Sequence, residues 1–195
     1  MTPRVLPAGD HAALVEVDDN AAAVRLARAL RTRGGFVDVV PGHRTVLVTW
    51  EGERPALALD PGDDETVFPG RLVEVPVVYD GADLEEVATL TGLDVEDVVA
   101  AHTARDYTVG FVGFSPGFAY LLGGDDRLRV PRLDTPRERV PAGSVALAGP
   151  YSAVYPQESP GGWRLVGRTD LVLFDAARRR PALLEPGDRV RFTAR

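Results

Sequence analysis

The 195-residue chain has no cysteine and no lysine. The first absence removes thiol nucleophiles, thiolate metal sites and disulfides together. The second removes Schiff-base chemistry and the lysine that a P-loop sets on nucleotide phosphates. All 22 basic side chains are therefore arginine, and a Walker-type nucleotide site in this chain is excluded. Histidine is scarce: His11, His43 and His102 stand far apart without zinc-site spacing, so no metal is expected. Runs of roughly 18 apolar residues are missing too, which leaves no candidate membrane-spanning helix. Met1 to Asp10, with Pro3, Pro7 and Gly9, lacks a basic-then-apolar leader, and the chain reads as cytoplasmic.

What is present is an uneven charge. The net value of −7 combines residues 1–100, with 8 Arg against 19 Asp plus Glu, and residues 101–195, with 14 Arg against 10 acids. An acidic chain is a poor nucleic-acid ligand, because that affinity comes mostly from phosphate neutralisation. A basic second half suits a small anion or an acidic partner surface. A bias of Arg for Lys explains the missing lysine but not the change of sign between halves. At 45% hydrophobic, the chain can build one large domain or two small ones.

The pattern divides near Gly70. The first part, residues 1–70, reads as a small α+β domain. Ala12 to Val17 is a strand, and Asn20 is the expected cap of a helix to about Arg33, stopped by Gly34-Gly35. Phe36 to Val40 and Thr45 to Trp50 are strands of a hairpin turned by Pro41 to Arg44. Glu51 to Gly70 is acidic and rich in Pro and Gly, with Asp60 to Glu65 a loop or linker. The second part, residues 71–195, opens with a strand at Leu72 to Tyr79 and helices starting at Asp83 and Asp94. On the latter helix Val95, Val98, Val99 and His102 fall at i, i+3, i+4 and i+7, so His102 leans towards the apolar face. A buried structural histidine is at least as good a reading there as a catalytic one. Strands at Tyr107 to Phe111, Ser144 to Ala148, Leu165 to Val166, Leu171 to Phe174 and Arg189 to Thr193 follow, separated by Gly and Pro. This is the spacing of a mainly-β barrel or sandwich.

Three segments between Gly110 and Thr169 carry the candidate chemistry. Gly110 to Leu121 interleaves Phe111, Phe114, Phe118 and Tyr120 with Gly and Pro, which suits either a ring-walled pocket or a tight aromatic barrel corner. Pro131 to Ser144 holds Arg132, Arg137 and Arg139 in a Pro-stiffened stretch, forks for a carboxylate or phosphate unless they are solvated or paired with Asp134 and Glu138. Tyr155 to Trp163 offers Glu158, Ser159, the Gly161 and Gly162 amides as an anion nest, and Trp163 as a wall, with Arg168 beyond it. No histidine adjoins Ser159 in sequence, so a Ser–His nucleophile is not read from it.

Together PGFAYL (Pro116 to Leu121), the PR pairs at Arg132 and Arg137, VPAGSV (Val140 to Val145), YP (Tyr155–Pro156), SPGGW (Ser159 to Trp163) and GRT (Gly167 to Thr169) resemble the KipI family. That family includes the B subunits of 5-oxoprolinase (PxpB) and proteins labelled allophanate hydrolase subunit 1, with a carboxyltransferase domain of the subdomain C and D type. The match runs from about Val73 to the C-terminus and is looser before it. It implies a small α+β N-terminal domain and a cyclophilin-like β-barrel C-terminal domain. It also implies a hetero-oligomer with a PxpC (KipA-like) subunit and a PxpA-like subunit that opens 5-oxo-L-proline to L-glutamate at the expense of ATP. The location of ATP within that complex stays open. Alternatives within the resemblance are a regulatory inhibitor of a sensor histidine kinase and a urea-carboxylase-type carboxyltransferase part. On this reading Arg137, Ser159 and Glu158 are the catalytic candidates. Phe114, Phe118, Arg132, Arg139, Gly161, Gly162, Trp163 and Arg168 are the substrate-binding ones. The water-activating base is open among Glu158, Asp170 and His102. One stretch departs from the family pattern, with Tyr151 and Ser152 where relatives read close to Gln and Thr.

Overall fold

Val46 and Val48, spaced by two in Thr45–Thr49, send both side chains to one face, and so do Ala13 and Val15 in Ala12–Glu16. In the computed structural model, which describes residues 3–57, 59 and 70–195, these two runs pair antiparallel. With β1 (Arg4–Pro7), β2 (Ala12–Glu16), β3 (Asp38–Pro41) and β4 (Thr45–Thr49) they make a four-stranded sheet in the order β1-β2-β4-β3. Helix α1 (Asn20–Arg33) buries Ala23, Leu26, Ala27 and Leu30 in the same core. Its cap is Asp19, not Asn20: the Asp19 carboxylate accepts from Ala22 N–H at 2.7 Å. Asn20 is already helical, and its amide donates to the Gly42 carbonyl. Asp and Asn serve equally as caps, so adjacent candidates are separated only by backbone conformation. Gly34, at φ 75°, ends the helix and donates to the Leu30 carbonyl. The loop expected over Asp60 to Glu65 lies outside the described residues.

Contacts divide the chain into two compact units, Met1–Pro69 and Gly70–Arg195. The second contains β5 (Leu72–Val77), α2 (Leu84–Thr91), α3 (Val95–Thr103), β6 (Tyr107–Val112), β7 (Ala119–Leu122), β8 (Arg137–Val140), β9 (Ser144–Ala148), β10 (Tyr151–Val154), β11 (Ser159–Gly161), β12 (Arg164–Arg168) and β13 (Arg189–Ala194). Seven of these strands form one sheet in the order β12-β9-β10-β7-β6-β13-β5, antiparallel except for the β13–β5 pair. Its two ends meet: just beyond β5, Val78 exchanges two backbone hydrogen bonds of 2.9 Å with Arg168 of β12, nearly closing a barrel. Strand β8 pairs with β11 in a separate two-stranded ribbon. The whole is a mixed α/β fold with a nearly closed β-barrel sheet and few helices. No helix among the described residues is long and apolar enough to cross a membrane.

Period-two alternation splits the barrel strands between two cores. Leu121, Val145, Leu147, Val154 and Val166 point into one core with Val109 and Phe192. Their neighbours Ala146, Ala148, Ala153 and Leu165 face a second cluster with Phe118, Tyr155 and Trp163, to which the ribbon adds Val140. The strand expected at Leu171 to Phe174 is not formed; only a single bridge, Phe174 to Ala182, lies there. Strands β1, β7, β8, β10 and β11 have three or four residues each, too short for a periodic signal, and tertiary pairing forms them.

Candidate functional site

The second cluster does not fill its space. A cavity of about 250 Å³ remains, walled by the rings of Phe114, Phe118, Tyr120, Tyr155 and Trp163 and by Arg132, with Pro136, Pro160 and Gly161 completing it. Phe118 is the hub of the walls. Its ring meets those of Phe114, Tyr120, Tyr155 and Trp163 edge-to-face at centroid distances of 5.2, 5.2, 5.3 and 5.5 Å. These geometries bring a positive ring edge onto a negative face and fix the rings against one another.

Two loops and the ribbon hold the walls. The turn Gly113 to Phe118 joins β6 to β7, with Gly113 N–H donating to the Phe118 carbonyl and Phe118 N–H to that of Ser115. Gly117 takes φ 83°, and a Cβ there would press on Phe174. Phe114 in the same turn has φ 66°, the single non-glycine residue with positive φ among the described residues, and is 62% exposed. An aromatic residue held in the left-handed region beside a cavity marks a place where the surrounding fold overrides local preference. Opposite it, Gly161 lies against the Tyr155 hydroxyl with no room for a side chain, which explains its identity by packing. Gly161 pairs with Arg137 across the ribbon, and the Gly162 carbonyl accepts from Leu133 N–H at 2.7 Å. Neither glycine has the positive φ of an anion nest, so the nest expected there is not formed.

The three candidate arginines part company. Arg132 lies on the cavity wall with no ion pair to an acid among the described residues. Its charge acts on the Tyr120 and Tyr155 phenols, whose pKa values burial nevertheless raises. Arg137 donates to Asp83 at 2.6 Å, and the second Asp83 oxygen accepts from Leu165 N–H at 2.6 Å. Asp83 is 4% exposed and starts α2, yet it makes no cap bond there, having turned to tie the ribbon to β12. Arg139 and Glu158 pair at 3.2 Å, 80% and 56% exposed. Arg168 pairs with Asp80 at 2.9 Å in the open. The Ser159 hydroxyl is buried without a hydrogen-bond partner among the described residues and is not on the cavity wall.

His102 is fully buried. Its Nδ1 lies 2.7 Å from the Tyr79 hydroxyl and its Nε2 2.9 Å from Ser152 Oγ. Ser152 donates onward to the Ala146 carbonyl, so the chain closes with a neutral imidazole that accepts from Tyr79 and donates to Ser152. Burial pushes the His102 pKa down to about 3. Asp170 is solvent-exposed and lies 3.5 Å from Arg195. No group of three His, Asp or Glu among the described residues is arranged to hold a metal.

Sequence reasoning named Tyr120 only as one ring of the Gly110–Leu121 stretch and missed Tyr155, Pro136 and Pro160 as wall residues. Tyr120 had a signal, since it follows Phe118 by two in an extended run and shares its face. The Asp83–Arg137 tie spans 54 residues and had none.

The class is settled by comparison. Residues 3–184 match the model of the carboxyltransferase domain, subdomain C and D, and the chain belongs to that family. Among individual relatives, it is 44% identical to the 5-oxoprolinase B subunit of Escherichia coli O157:H7 over 180 residues, 86% of this chain and 82% of that protein. It is 47% identical to the Bacillus subtilis (strain 168) protein of the same name over 125 residues, covering 63% of this chain and 52% of that one. The crystal structure of TTHA0988 superposes with a TM-score of 0.82 at 38% identity over 95% of this chain, which spans only 40% of that longer protein. The Kluyveromyces lactis urea amidolyase, at 22% identity and TM-score 0.71, shares the fold over 99% of this chain and 15% of its own length.

Proposed function

We propose that this chain is the PxpB component of an ATP-dependent 5-oxoprolinase, acting in the cytoplasm with PxpC (KipA-like) and PxpA-like partners to open 5-oxo-L-proline to L-glutamate. The observation that carries this reading is Arg132, an arginine without an acidic partner among the described residues, on the wall of an aromatic cavity in a chain 44% identical to a 5-oxoprolinase component. In the same reading the two units act as separate domains, 1–70 and 71–195, the second of cyclophilin-like type.

5-Oxo-L-proline is a flat five-membered lactam with one carboxylate. A cavity of about 250 Å³ sits just below the usual ~300–1,000 Å³ of ligand pockets and suits a single small ring better than a nucleotide. Arg132 holds the carboxylate, and Phe118, Tyr120 and Trp163 sandwich the ring. Burial keeps the Tyr120 and Tyr155 phenols protonated, so each offers a donor to the lactam carbonyl. A lactam resists water because its nitrogen lone pair is delocalised onto the carbonyl. Transfer of the ATP γ-phosphoryl group to that oxygen releases ADP and gives water an electrophile it can attack; C–N cleavage then leaves γ-glutamyl phosphate, which a second water hydrolyses to glutamate and phosphate. ATP is assigned to the complex, on a partner's face. No carboxylate or imidazole lines the cavity among the described residues, and the partner is assigned the base that activates water. Arg137 is a positioning residue through Asp83, and Ser159 supports the ribbon.

Reconstitution tests this. With the partner proteins present, ATP hydrolysis should depend on both 5-oxo-L-proline and this chain. Arg132→Ala should lower kcat/KM at least tenfold, about 1.4 kcal/mol, with KM for 5-oxo-L-proline raised and the fold intact. ATP hydrolysis indifferent to this chain would sink the reading.

A further inference from the structure

A second cavity, also of about 250 Å³, opens in the same unit where the end of β7, the turn at Asp126–Leu128 and the β9–β10 hairpin meet. Tyr151 stands between the two cavities, lining this one while its ring packs on Tyr120 and Trp163 of the other.

Its walls combine three features. First, Tyr107 is 2% exposed, yet its hydroxyl is buried without a hydrogen-bond partner among the described residues. Buried phenols ordinarily find one, and a donor left unmade is costly. Second, Gly124 packs directly on that hydroxyl: a Cβ there would stand 2.5 Å from the Tyr107 ring and 2.7 Å from its oxygen. Third, the acids of the wall are already spent. Asp125 takes two hydrogen bonds from the Arg127 guanidinium at 3.1 and 2.8 Å, and Asp126 takes one from Arg129 at 2.7 Å. Arg105, at the same wall, makes no ion pair or hydrogen bond among the described residues, and the Asp125 charge that acts on it is shared with Arg127. Burial, with the Asp125 charge nearby, keeps the Tyr107 phenol protonated and therefore a donor.

We propose that this cavity binds a small organic acid. Its carboxylate pairs with Arg105, a second oxygen accepts from the Tyr107 hydroxyl, and its apolar part lies against Leu122, Leu128 and Leu147. The site stands apart from the aromatic cavity and does not rest on the 5-oxoprolinase reading.

Titration calorimetry on the full chain, with 5-oxo-L-proline and L-glutamate as probes and acetate and phosphate as controls, tests the assignment. Saturable binding of at least one probe is expected, with a component that weakens tenfold or more in Tyr107→Phe and in Arg105→Gln and persists in Arg132→Ala. The phenylalanine variant should melt no lower than the parent, because the lost hydroxyl has no partner in the fold. Failure of both probes to saturate overturns the proposal. So do binding undiminished in Tyr107→Phe, a matching affinity for phosphate, loss of the Tyr107-dependent component in Arg132→Ala, and a lower melting temperature for Tyr107→Phe. Failure of the 5-oxoprolinase reading appears separately, as ATP hydrolysis uncoupled from this chain, and leaves this titration intact.

Discussion

Two ring clusters share the barrel strands and differ in what they enclose. Around His102, Phe192 stacks at 4.3 Å and Tyr107 and Tyr79 follow at 5.4 and 5.8 Å, packed inside the barrel. Around Phe118 the spacings are similar, but the rings pack on Ala146, Ala148 and Ala153 on one side and border a cavity with Arg132, Pro136 and Pro160 on the other. The inner faces of β9 and β10 carry Val145, Leu147 and Val154; their outer faces carry Ala146, Ala148 and Ala153. In the barrel core the titratable residue is structural, and across the sheet the apolar residues form the site.

The comparison breaks most readily at Phe118. Truncating it to alanine removes the hub of four ring contacts from a site 2% exposed, and a loss of about 3–5 kcal/mol is expected in denaturant titration. A cost below about 1 kcal/mol would mean that the rings stand without their hub.

Next is the tie that fixes the ribbon against the cavity. Asp83→Ala leaves the Arg137 guanidinium and the Leu165 N–H without their acceptor, at an expected cost of about 3 kcal/mol. Adding Arg137→Met should recover part of it. If the double variant is no better than the single one, Arg137 is not held by Asp83 in solution.

Most elements were legible in the sequence, and the reasons differ from place to place. Helix α3 was readable because Asp94 caps it by accepting from Asp97 N–H at 2.8 Å and Val98 repeats on one face. The cavity walls were readable as ring types, since Phe114, Phe118, Arg132, Gly161 and Trp163 do converge. What was hidden was long-range partnership. Arg132 and Arg137 look alike in the motif, and only Asp83, brought over by the start of α2, separates a free guanidinium from a spent one. The nest at Gly161–Gly162 misled because glycine serves close packing as readily as positive φ, and here Tyr155 demands the packing.

The His102 cluster is sharpened by pH. Its pKa is about 3 in the fold against an ordinary value of 6.5, so the unfolded chain takes up a proton that the native state refuses. Its contribution is complete above pH 6.5 and is lost as pH falls towards 3, at up to ~1.4 kcal/mol per pH unit. His102→Leu should flatten that part of the stability profile relative to the parent, whatever it does to stability at neutral pH. A His102 ring resonance that titrates between pH 5 and 7 in the native protein would contradict the closed cluster.

The smallest effect is expected where the sequence offered the most chemistry. Glu158 and Arg139 sit in a motif rich in catalytic residue types, yet they pair at 3.2 Å with most of both side chains in water. Exposed pairs of this kind contribute ~0–1 kcal/mol, since solvent screens the attraction and two long side chains lose freedom to meet. Glu158→Ala and Arg139→Ala should each shift stability by less than about 0.5 kcal/mol. In the reconstituted complex each should leave kcat for 5-oxo-L-proline within about twofold of the parent. A tenfold fall for Glu158→Ala would make it the base and reopen the assignment of that role to a partner. The contrast between Arg139→Ala and Arg132→Ala is the informative part: both are arginine sites in one Pro-rich stretch, and only the one facing rings across a void should matter to turnover.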